Sequence, residues 1–204
     1  MRKTGIMGGT FNPIHNGHLM IAREALKQFQ LEEVIFLPCG IPYMKAGQKI
    51  APGIVRAEMT RLAIEPYPDF TLSTFEIDQH TSTYTYVTLE AFRKANPDTE
   101  YYFIMGADSL FHITSWKNPE RIFANCVVLA AVRDEKTPAE MEQQIALLKK
   151  EYHARIFLLH TDYLPVSSSE IRKKLSEGES VCEELPSRVL SYIQAHHLYE
   201  NEDR

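Results

Sequence analysis

Residues 5–18 decide the fold, and they read GIMGGTFNPIHNGH. A short apolar run ends here in two adjacent glycines, Gly8 and Gly9. A helical stripe of apolar residues follows, with Ala22, Ala25 and Phe29 on one face. Paired glycines let the backbone approach a ligand closely. The start of a helix offers unpaired N–H groups and a partial positive charge to an anion. The stretch therefore predicts a strand, a phosphate-binding loop and a helix, in that order.

Four more short apolar runs occur along the chain: Val34–Leu37, Tyr101–Met105, Val127–Val132 and Ile156–Leu159. Continuous apolar runs of this length are typical of strands that are buried on both faces of a parallel sheet. Helical stripes fill the gaps between them; one of these consists of Tyr84, Val87, Thr88 and Ala91. Strands that alternate with helices predict an α/β fold with right-handed crossovers, a Rossmann-like doubly wound parallel sheet.

The last forty residues read as a small helical portion. Residues 167–170 are Ser-Ser-Ser-Glu, a capping box that predicts a helix through Leu175, with Gly178 as its stop. Pro186 is expected to open a final helix. A chain of 204 residues is most simply one domain. We therefore expect a single domain over 1–204, in which 165–204 form a C-terminal helical portion that carries the motif SSSEIR.

Composition excludes several classes of protein. Hydrophobic residues make up 44% of the chain and charged residues 24%, which excludes disordered, collagenous and coiled-coil chains. The net charge is −5, and residues 1–133 hold equal numbers of acidic and basic residues. A dedicated nucleic-acid binder is usually strongly basic, so this balance argues against one.

Cysteine usage and hydropathy indicate a cytoplasmic protein. The three cysteines are far apart and form no C-x-x-C, so we expect no disulfides and a reducing compartment. The apolar stretch after Met1 is interrupted by Asn12, Pro13 and His15, so no signal peptide is expected. No apolar run is long enough to span a membrane.

Candidate site residues follow the predicted strands, because ligands of a doubly wound sheet bind beyond the carboxyl ends of its strands. Glycines, cations and small polar residues gather there, as a phosphate-bearing ligand requires: Gly8 and Gly9, Cys39 and Gly40 leading to Lys45, Gly106 to Asp108, Arg133, and Ser167 to Arg172. His15 and His18 lie three residues apart and can aim both imidazoles at one polyphosphate; the structural alternative is a loop with a capping histidine.

Four other motifs are absent from the sequence: the P-loop, the G-x-G-x-x-G fingerprint, the H-E-x-x-H zinc helix and the G-x-S-x-G nucleophile elbow.

Residues 8–18 resemble the HxGH signature of the nucleotidyltransferase superfamily, and almost the full chain resembles the bacterial nicotinate-nucleotide adenylyltransferase family. The resemblance also covers residues 45–56, 83–85, 106–108, Trp116, Arg133, SSSEIR at 167–172 and the tail 189–199. It implies that ATP and nicotinate mononucleotide react to give deamido-NAD and pyrophosphate, a step of NAD biosynthesis, by in-line transfer without a covalent intermediate. It also implies Mg²⁺ held mainly by the ATP phosphates with no metal site on the protein, no nucleic-acid or membrane partner, and a possible homodimer.

The resemblance assigns three groups of residues. The catalytic group is His15, His18, Lys45 and Arg172. The ATP-binding group is Gly8, Gly9, Thr10, Phe11, Gly17, Asp108, Arg133 and Ser168. The group that binds nicotinate mononucleotide is Asn12, Lys45, Thr85, Gly106, Trp116 and Lys117. The carboxylate of the nicotinate ring is expected near Thr85 and Lys117.

Some of these residues have a plain structural alternative. Lys45 would otherwise be a solvated loop lysine, Ser168 a simple helix cap, Asp108 an N-cap, and Trp116 a core residue. Arg56, which matches a family arginine on the helix after Lys45, would otherwise be a surface residue.

Three rival functions share parts of the pattern. Phosphopantetheine adenylyltransferase is shorter and lacks the Trp116 region. Class I aminoacyl-tRNA synthetases need an anticodon-binding domain and a KMSKS lysine motif, which this chain does not have. A non-catalytic nucleotide sensor on the same fold stays open, and product formation from ATP distinguishes it from the enzyme.

Overall fold

The fold is built on one sheet of six parallel strands. A computed structural model describes residues 1–40, 50–79, 83–132, 137–162 and 165–200. The strands are β1 (Arg2–Gly9), β2 (Glu33–Pro38), β3 (Phe70–Leu72), β4 (Thr99–Gly106), β5 (Val127–Ala131) and β6 (Ile156–Leu159). Their order in the sheet is β3-β2-β1-β4-β5-β6, and every neighbouring pair is parallel.

Helices alternate with the strands. They are α1 (Asn16–Phe29), α2 (Gly53–Ile64), α3 (Thr85–Ala95), α4 (Ala107–His112), α5 (Pro119–Asn125), α6 (Pro138–Tyr152), α7 (Ser168–Glu177) and α8 (Ser187–Ala195), with a short 3-10 turn at Ile113–Ser115. In the part of the chain that the structure describes, no helix combines the length and the apolar character that crossing a membrane requires. The α/β fold with a doubly wound parallel sheet is confirmed.

Two buried clusters cover the two faces of the sheet. The first, here called the α1-side core, holds buried residues of α1, α2, α7 and α8, among them Leu19, Met59, Ile171 and Val189. The second, the α3-side core, holds those of α3 to α6, among them Leu89, Leu110, Ile122 and Met141. Neighbouring residues of β4 alternate between them: Ile104 belongs to the first and Phe103 to the second. Burial on both faces is the reason that the central strands are continuously apolar.

The order in which strands are added to the sheet reverses between β1 and β4, although all strands stay parallel. From β1 the chain moves outward through β2 to β3, and then crosses back to place β4 on the other side of β1. Met7 is paired with Ile104 and Gly8 with Leu37. In a doubly wound sheet this reversal opens a crevice at the carboxyl ends of the two strands. Gly8, Gly9 and Gly106 stand at those ends.

The five predicted strands and the C-terminal cap are confirmed. Ser167 is the N-cap of α7, where its hydroxyl accepts from the backbone N–H of Glu170, and Gly178 ends the helix with a φ of +76°. One predicted helix face is wrong. Val87 is 39% exposed, and the buried residues of α3 are Thr88 and Leu89, because the helix is rotated by one residue from the predicted stripe.

Glu76 is a buried carboxyl group between β3 and α3. It is 8% exposed, and the hydroxyl of Thr88 donates a hydrogen bond of 2.7 Å to its Oε1. Burial raises the pKa of Glu76 to about 7, although the Thr88 hydrogen bond opposes this shift. The neighbouring backbone is tight as well, since a Cβ on Gly40 would lie 2.3 Å from the carbonyl oxygen of Glu76.

Glu76→Gln is expected to change the pH dependence of stability. A carboxyl group whose pKa is raised by folding stabilises the protein below its unfolded pKa, and that contribution is lost as the pH rises through the folded pKa. The wild type should therefore lose stability between about pH 4.5 and pH 7. The glutamine keeps the acceptor for Thr88 without the charge. The variant protein should therefore be more stable than the wild type above pH 7, by at most about 3 kcal/mol.

Urea unfolding at a series of pH values measures this difference. Glu58→Gln is the control, because Glu58 is paired with Arg61 on the surface of α2 and its pKa is lowered by that partner. Stability curves for Glu76→Gln and the wild type that stay parallel from pH 4 to pH 8 would contradict the expected behaviour of Glu76.

Candidate active site

The loop between β1 and α1 is held by side chains from distant parts of the chain. Its residues 10–15 form no helix or strand. Arg56 Nη1 on α2 donates to the Thr10 carbonyl at 2.8 Å, and Arg172 Nη1 on α7 donates to the Asn12 carbonyl at 2.8 Å. The Ser168 hydroxyl donates to the Pro13 carbonyl at 2.9 Å. Buried backbone carbonyls need such partners, so the position of this loop depends on all three side chains.

Arg56 is buried, with 1% of its surface exposed, so the surface role is wrong. It also donates to the carbonyl oxygens of Ala51 at 2.9 Å, Cys39 at 2.7 Å and Gly40 at 2.9 Å. Within the described ranges, its hydrogen-bond partners are these carbonyls and the Cys39 thiol, and none is a carboxylate. One planar guanidinium thus joins the ends of β1 and β2 to the start of α2. Its positive charge is kept beside the loop.

The ring of Phe11 packs so close to Gly9 that it leaves little room for a side chain there. The φ of Phe11 is +48°, a conformation that a bulky residue adopts only where its surroundings hold it, and the residue is 2% exposed. A Cβ on Gly9 would lie 3.1 Å from the Phe11 ring. The ring also meets the His18 ring edge-on, with centroids 5.0 Å apart.

The rings of His15 and His18 lie against each other at the start of α1, with an angle of 32° between their planes. Their ring centroids are 3.7 Å apart. The backbone N–H of His15 donates to Nδ1 of His18 at 3.2 Å. Because Nδ1 accepts, the proton of a neutral His18 ring is on Nε2, which makes Nε2 a hydrogen-bond donor. The structural alternative, a capping histidine, is therefore correct for His18, whose ring caps the backbone N–H of His15. This same hydrogen bond also sets the tautomer of His18.

The N-terminus of α1 lies at the same loop. No acidic residue stands in its first turn, and Gly17 is buried there. The C-terminal portion holds this end in place: Asn16 donates from its backbone N–H to the Glu184 carbonyl and from Nδ2 to the Glu183 carbonyl, each at 2.8 Å. A helix N-terminus carries a partial positive charge, and nothing acidic in this first turn offsets it.

The other side of the crevice belongs to β4 and the residues after it. Gly106 is the N-cap of α4, so the N-cap alternative for Asp108 is wrong; Asp108 is exposed in the first turn. Trp116 is half-buried, and its ring meets Phe103 edge-on with centroids 6.4 Å apart. Phe103 is also the nearest neighbour of a Cβ placed on Gly8, at 3.4 Å. The ring of Phe103 therefore lies between Trp116 and Gly8.

For the remaining predicted site residues, the structure gives a position and an exposure. Thr85 opens α3 and is half-buried, and Lys117 is exposed beside Trp116. Ser168 is not the cap of α7, since Ser167 has that role and the Ser168 hydroxyl is used by the loop. Lys45 and Arg133 lie outside the described residues.

One residue of the loop network was not predicted as a site residue, although the tail 189–199 that contains it is part of the family resemblance. The hydroxyl of Tyr199 donates to Oδ1 of Asn12 at 2.7 Å, and the backbone N–H of Ala51 donates to the same oxygen at 3.1 Å. Tyr199 follows the end of α8, where no helical or strand period applies. The only local indication that this segment packs back on the protein is the adjacent apolar pair of residues 198–199 after the helix end.

The class of this protein follows from the fold and from a family model. Residues 6–174 match the model described as cytidylyltransferase-like, and the chain belongs to that family. A solved structure titled "Plasmodium falciparum nicotinic acid mononucleotide adenylyltransferase complexed with NaAD" superposes with a TM-score of 0.81, at 21% identity and over 98% of each chain. At that identity the likeness shows the fold alone.

Within this class, the curated relatives define a narrower family. A protein of Lachnoclostridium phytofermentans named "Probable nicotinate-nucleotide adenylyltransferase" is 44% identical over 199 residues, which is 98% of this chain and 100% of that one. A Clostridium botulinum protein of the same name is 39% identical over 202 residues, 99% of this chain and 100% of that one. The chain belongs to the nicotinate-nucleotide adenylyltransferase family, as its resemblance predicted.

Arg56→Lys tests how much the loop depends on the buried guanidinium. An ammonium group lacks the planar fork, so several of the carbonyls that Arg56 contacts would be left buried without a donor. The free energy of unfolding should fall by about 2–4 kcal/mol, because hydrogen bonds from charged donors are lost. Urea unfolding at neutral pH measures it.

Arg61→Lys on the same helix is the matched control. Arg61 is exposed and paired with Glu58, so this change should have little effect on unfolding. Equal effects of the two substitutions would show that Arg56 is not the anchor of the loop.

Proposed function

We propose that this chain is a nicotinate-nucleotide adenylyltransferase, which joins ATP and nicotinate mononucleotide to give deamido-NAD and pyrophosphate in NAD biosynthesis. The observation that carries the proposal is family membership over the full length, together with a glycine loop and a histidine pair at the reversal point of the sheet. That crevice is where a sheet of this topology binds nucleotides.

The proposed reaction is a direct in-line transfer. A phosphate oxygen of nicotinate mononucleotide attacks the α-phosphorus of ATP, the bond from that phosphorus to the bridging oxygen breaks, and pyrophosphate leaves. The attacking phosphate is already an anion, so no general base is needed. The protein contributes by positioning the two substrates and by stabilising the charge on the transferred group.

His18 is the proposed centre of that stabilisation. Its Nε2–H is a donor because Nδ1 accepts from the His15 backbone. We assign it to the α-phosphate, where charge grows in the transition state. His15 and Arg172 are assigned to the same polyphosphate, with Lys45 as a further cation. The positive end of α1 supports the same anion.

The two substrates divide the rest of the crevice. ATP is assigned to the backbone of Gly8, Gly9, Thr10, Phe11 and Gly17, to Ser168 beside the loop, and to Asp108 and Arg133 at its ribose and adenine. The mononucleotide is assigned to Asn12 of the loop, to Thr85, Gly106, Trp116 and Lys117 on the other side of the crevice, and to Lys45 by the family resemblance. A pocket with donors for the nicotinate carboxylate should reject the uncharged amide, since those donors would lose a charge-assisted bond.

Mg²⁺ is proposed to arrive with ATP as part of the substrate. Among the described residues, no group of three or more His, Cys, Asp or Glu side chains is arranged to hold a metal ion. Phosphate oxygens and water are the ligands that Mg²⁺ usually keeps beside a nucleotide. The residues of this crevice therefore act on the phosphates themselves.

We also propose a setting for the enzyme. The acidic net charge and the widely spaced cysteines support a cytoplasmic enzyme with small-molecule partners and no nucleic acid. The chain is proposed to work as one domain, 1–204, and to form a weakly held homodimer. Support for one domain comes from Val181 and Ile193 of the C-terminal portion, which share the α1-side core with α1 and α2.

His18→Ala tests the proposed reaction. Turnover to deamido-NAD should fall about 100- to 1,000-fold, because the variant loses a donor to the transition-state anion. Production of pyrophosphate and of the dinucleotide measures it, with circular dichroism as the check on folding. His153→Ala, at the end of α6 on the opposite edge of the sheet, should leave turnover unchanged. A folded His18→Ala enzyme as active as the wild type would overturn the role of His18.

Trp116→Ala tests which substrate the β4 side of the crevice binds. The KM for nicotinate mononucleotide should rise about 5- to 150-fold, because stacking of an aromatic side chain on a base ring is worth about 1–3 kcal/mol. The KM for ATP should change little. Trp116→Phe keeps a stacking surface and should be intermediate. Equal rises in both KM values would place Trp116 in the core rather than against the pyridine ring.

A further inference from the structure

The tail after α8 returns to the active-site loop. Backbone hydrogen bonds from His196 to the Tyr192 carbonyl and from Leu198 to the Ile193 carbonyl wind it past the helix end. His197 and Tyr199 have φ values of +49° and +66°, in the left-handed region that non-glycine residues adopt only where the structure holds them. Leu198 and Tyr199 pack against the α1-side core, and this contact holds the tail in place.

The phenol of Tyr199 ends at the side chain of Asn12. Its hydroxyl donates to Asn12 Oδ1 at 2.7 Å, across 187 residues of sequence. Asn12 is 3% exposed, and the Ala51 N–H, just before α2, donates to the same oxygen at 3.1 Å. Two donors from separate segments therefore converge on one amide oxygen.

These two donors determine which way the Asn12 amide faces. Burial raises the pKa of the Tyr199 phenol far above neutrality, although the nearby charges of Arg172 and Arg56 oppose the shift. The hydroxyl is therefore protonated and able to donate at any physiological pH. A backbone N–H is always a donor, and only the oxygen end of the amide can accept from both groups. The nitrogen of the amide consequently points away from Tyr199 and Ala51.

We propose that Tyr199 is a positioning residue for nicotinate mononucleotide, because its hydroxyl fixes the orientation in which the Asn12 amide meets that substrate. This inference rests on the proposed function, in which Asn12 contacts the mononucleotide. Tyr199 itself touches no substrate and acts through Asn12. The C-terminal tail thereby becomes part of the binding site for one substrate and not the other.

Tyr199→Phe is the direct test, since it removes the hydroxyl and keeps the ring in the core. The KM for nicotinate mononucleotide should rise about two- to tenfold, the range expected for the loss of one hydrogen bond. The KM for ATP and kcat should stay at the wild-type values. Tyr192→Phe is the matched control, because Tyr192 lies on α8 just before the tail and, within the described part of the chain, its hydroxyl makes no hydrogen bond.

A double-mutant cycle with Asn12→Ala separates positioning from a merely structural role. If Tyr199 acts through Asn12, adding Tyr199→Phe to Asn12→Ala should not raise the KM for the mononucleotide further. Independent, multiplying effects would overturn the inference, and so would equal rises in both KM values. An active wild type with an unchanged Tyr199→Phe enzyme overturns this inference alone. A folded wild type that forms no dinucleotide overturns the proposed function and the inference with it.

Discussion

The structure depends on how the turn from β1 into α1 satisfies its own backbone. The turn leaves the sheet at the glycine pair and enters the helix at His15, and between these points its carbonyls have no strand or helix to bond with. Arg56, Arg172 and Ser168 supply the missing donors from α2 and α7. Because a buried carbonyl without a donor is costly, the loop, the crevice and the C-terminal portion have to form together.

The same network places positive charge at the loop, and the described part of the chain holds no cluster of three or more metal-ligating side chains. Arg56 is buried among carbonyl oxygens, and α1 begins with no acidic residue in its first turn. In a phosphoryl transfer whose substrates carry their own nucleophile and leaving group, the protein needs to form no covalent bond to either substrate. The reaction requires a rigid, electropositive surface whose donors need no rearrangement during the reaction. A loop anchored at several points by distant side chains meets that requirement.

Sequence reasoning succeeded where the controlling interactions are local or follow from topology. The central strands were predictable because both faces are buried. The position of Gly8, Gly9 and Gly106 at strand ends was predictable because the carboxyl ends of a doubly wound sheet share one edge, while their role in binding stays a prediction. Sequence reasoning missed β3, since only three residues, Phe70–Leu72, pair along the outer side of β2. It left Arg56 undecided and passed over Tyr199 as a site residue, because their partners lie far away in the chain and leave no periodic signal.

Turnover of the purified protein with ATP, Mg²⁺ and either nicotinate mononucleotide or its amide tests the central claim most directly. Both products, pyrophosphate and the dinucleotide, should be followed in the same reaction. We predict rapid formation of deamido-NAD from the acid and little reaction with the amide, because the proposed pocket would offer hydrogen-bond donors to the ring carboxylate. Comparable rates with both would contradict the assignment of Thr85, Trp116 and Lys117, and a folded protein that turns over neither would contradict the adenylyltransferase itself.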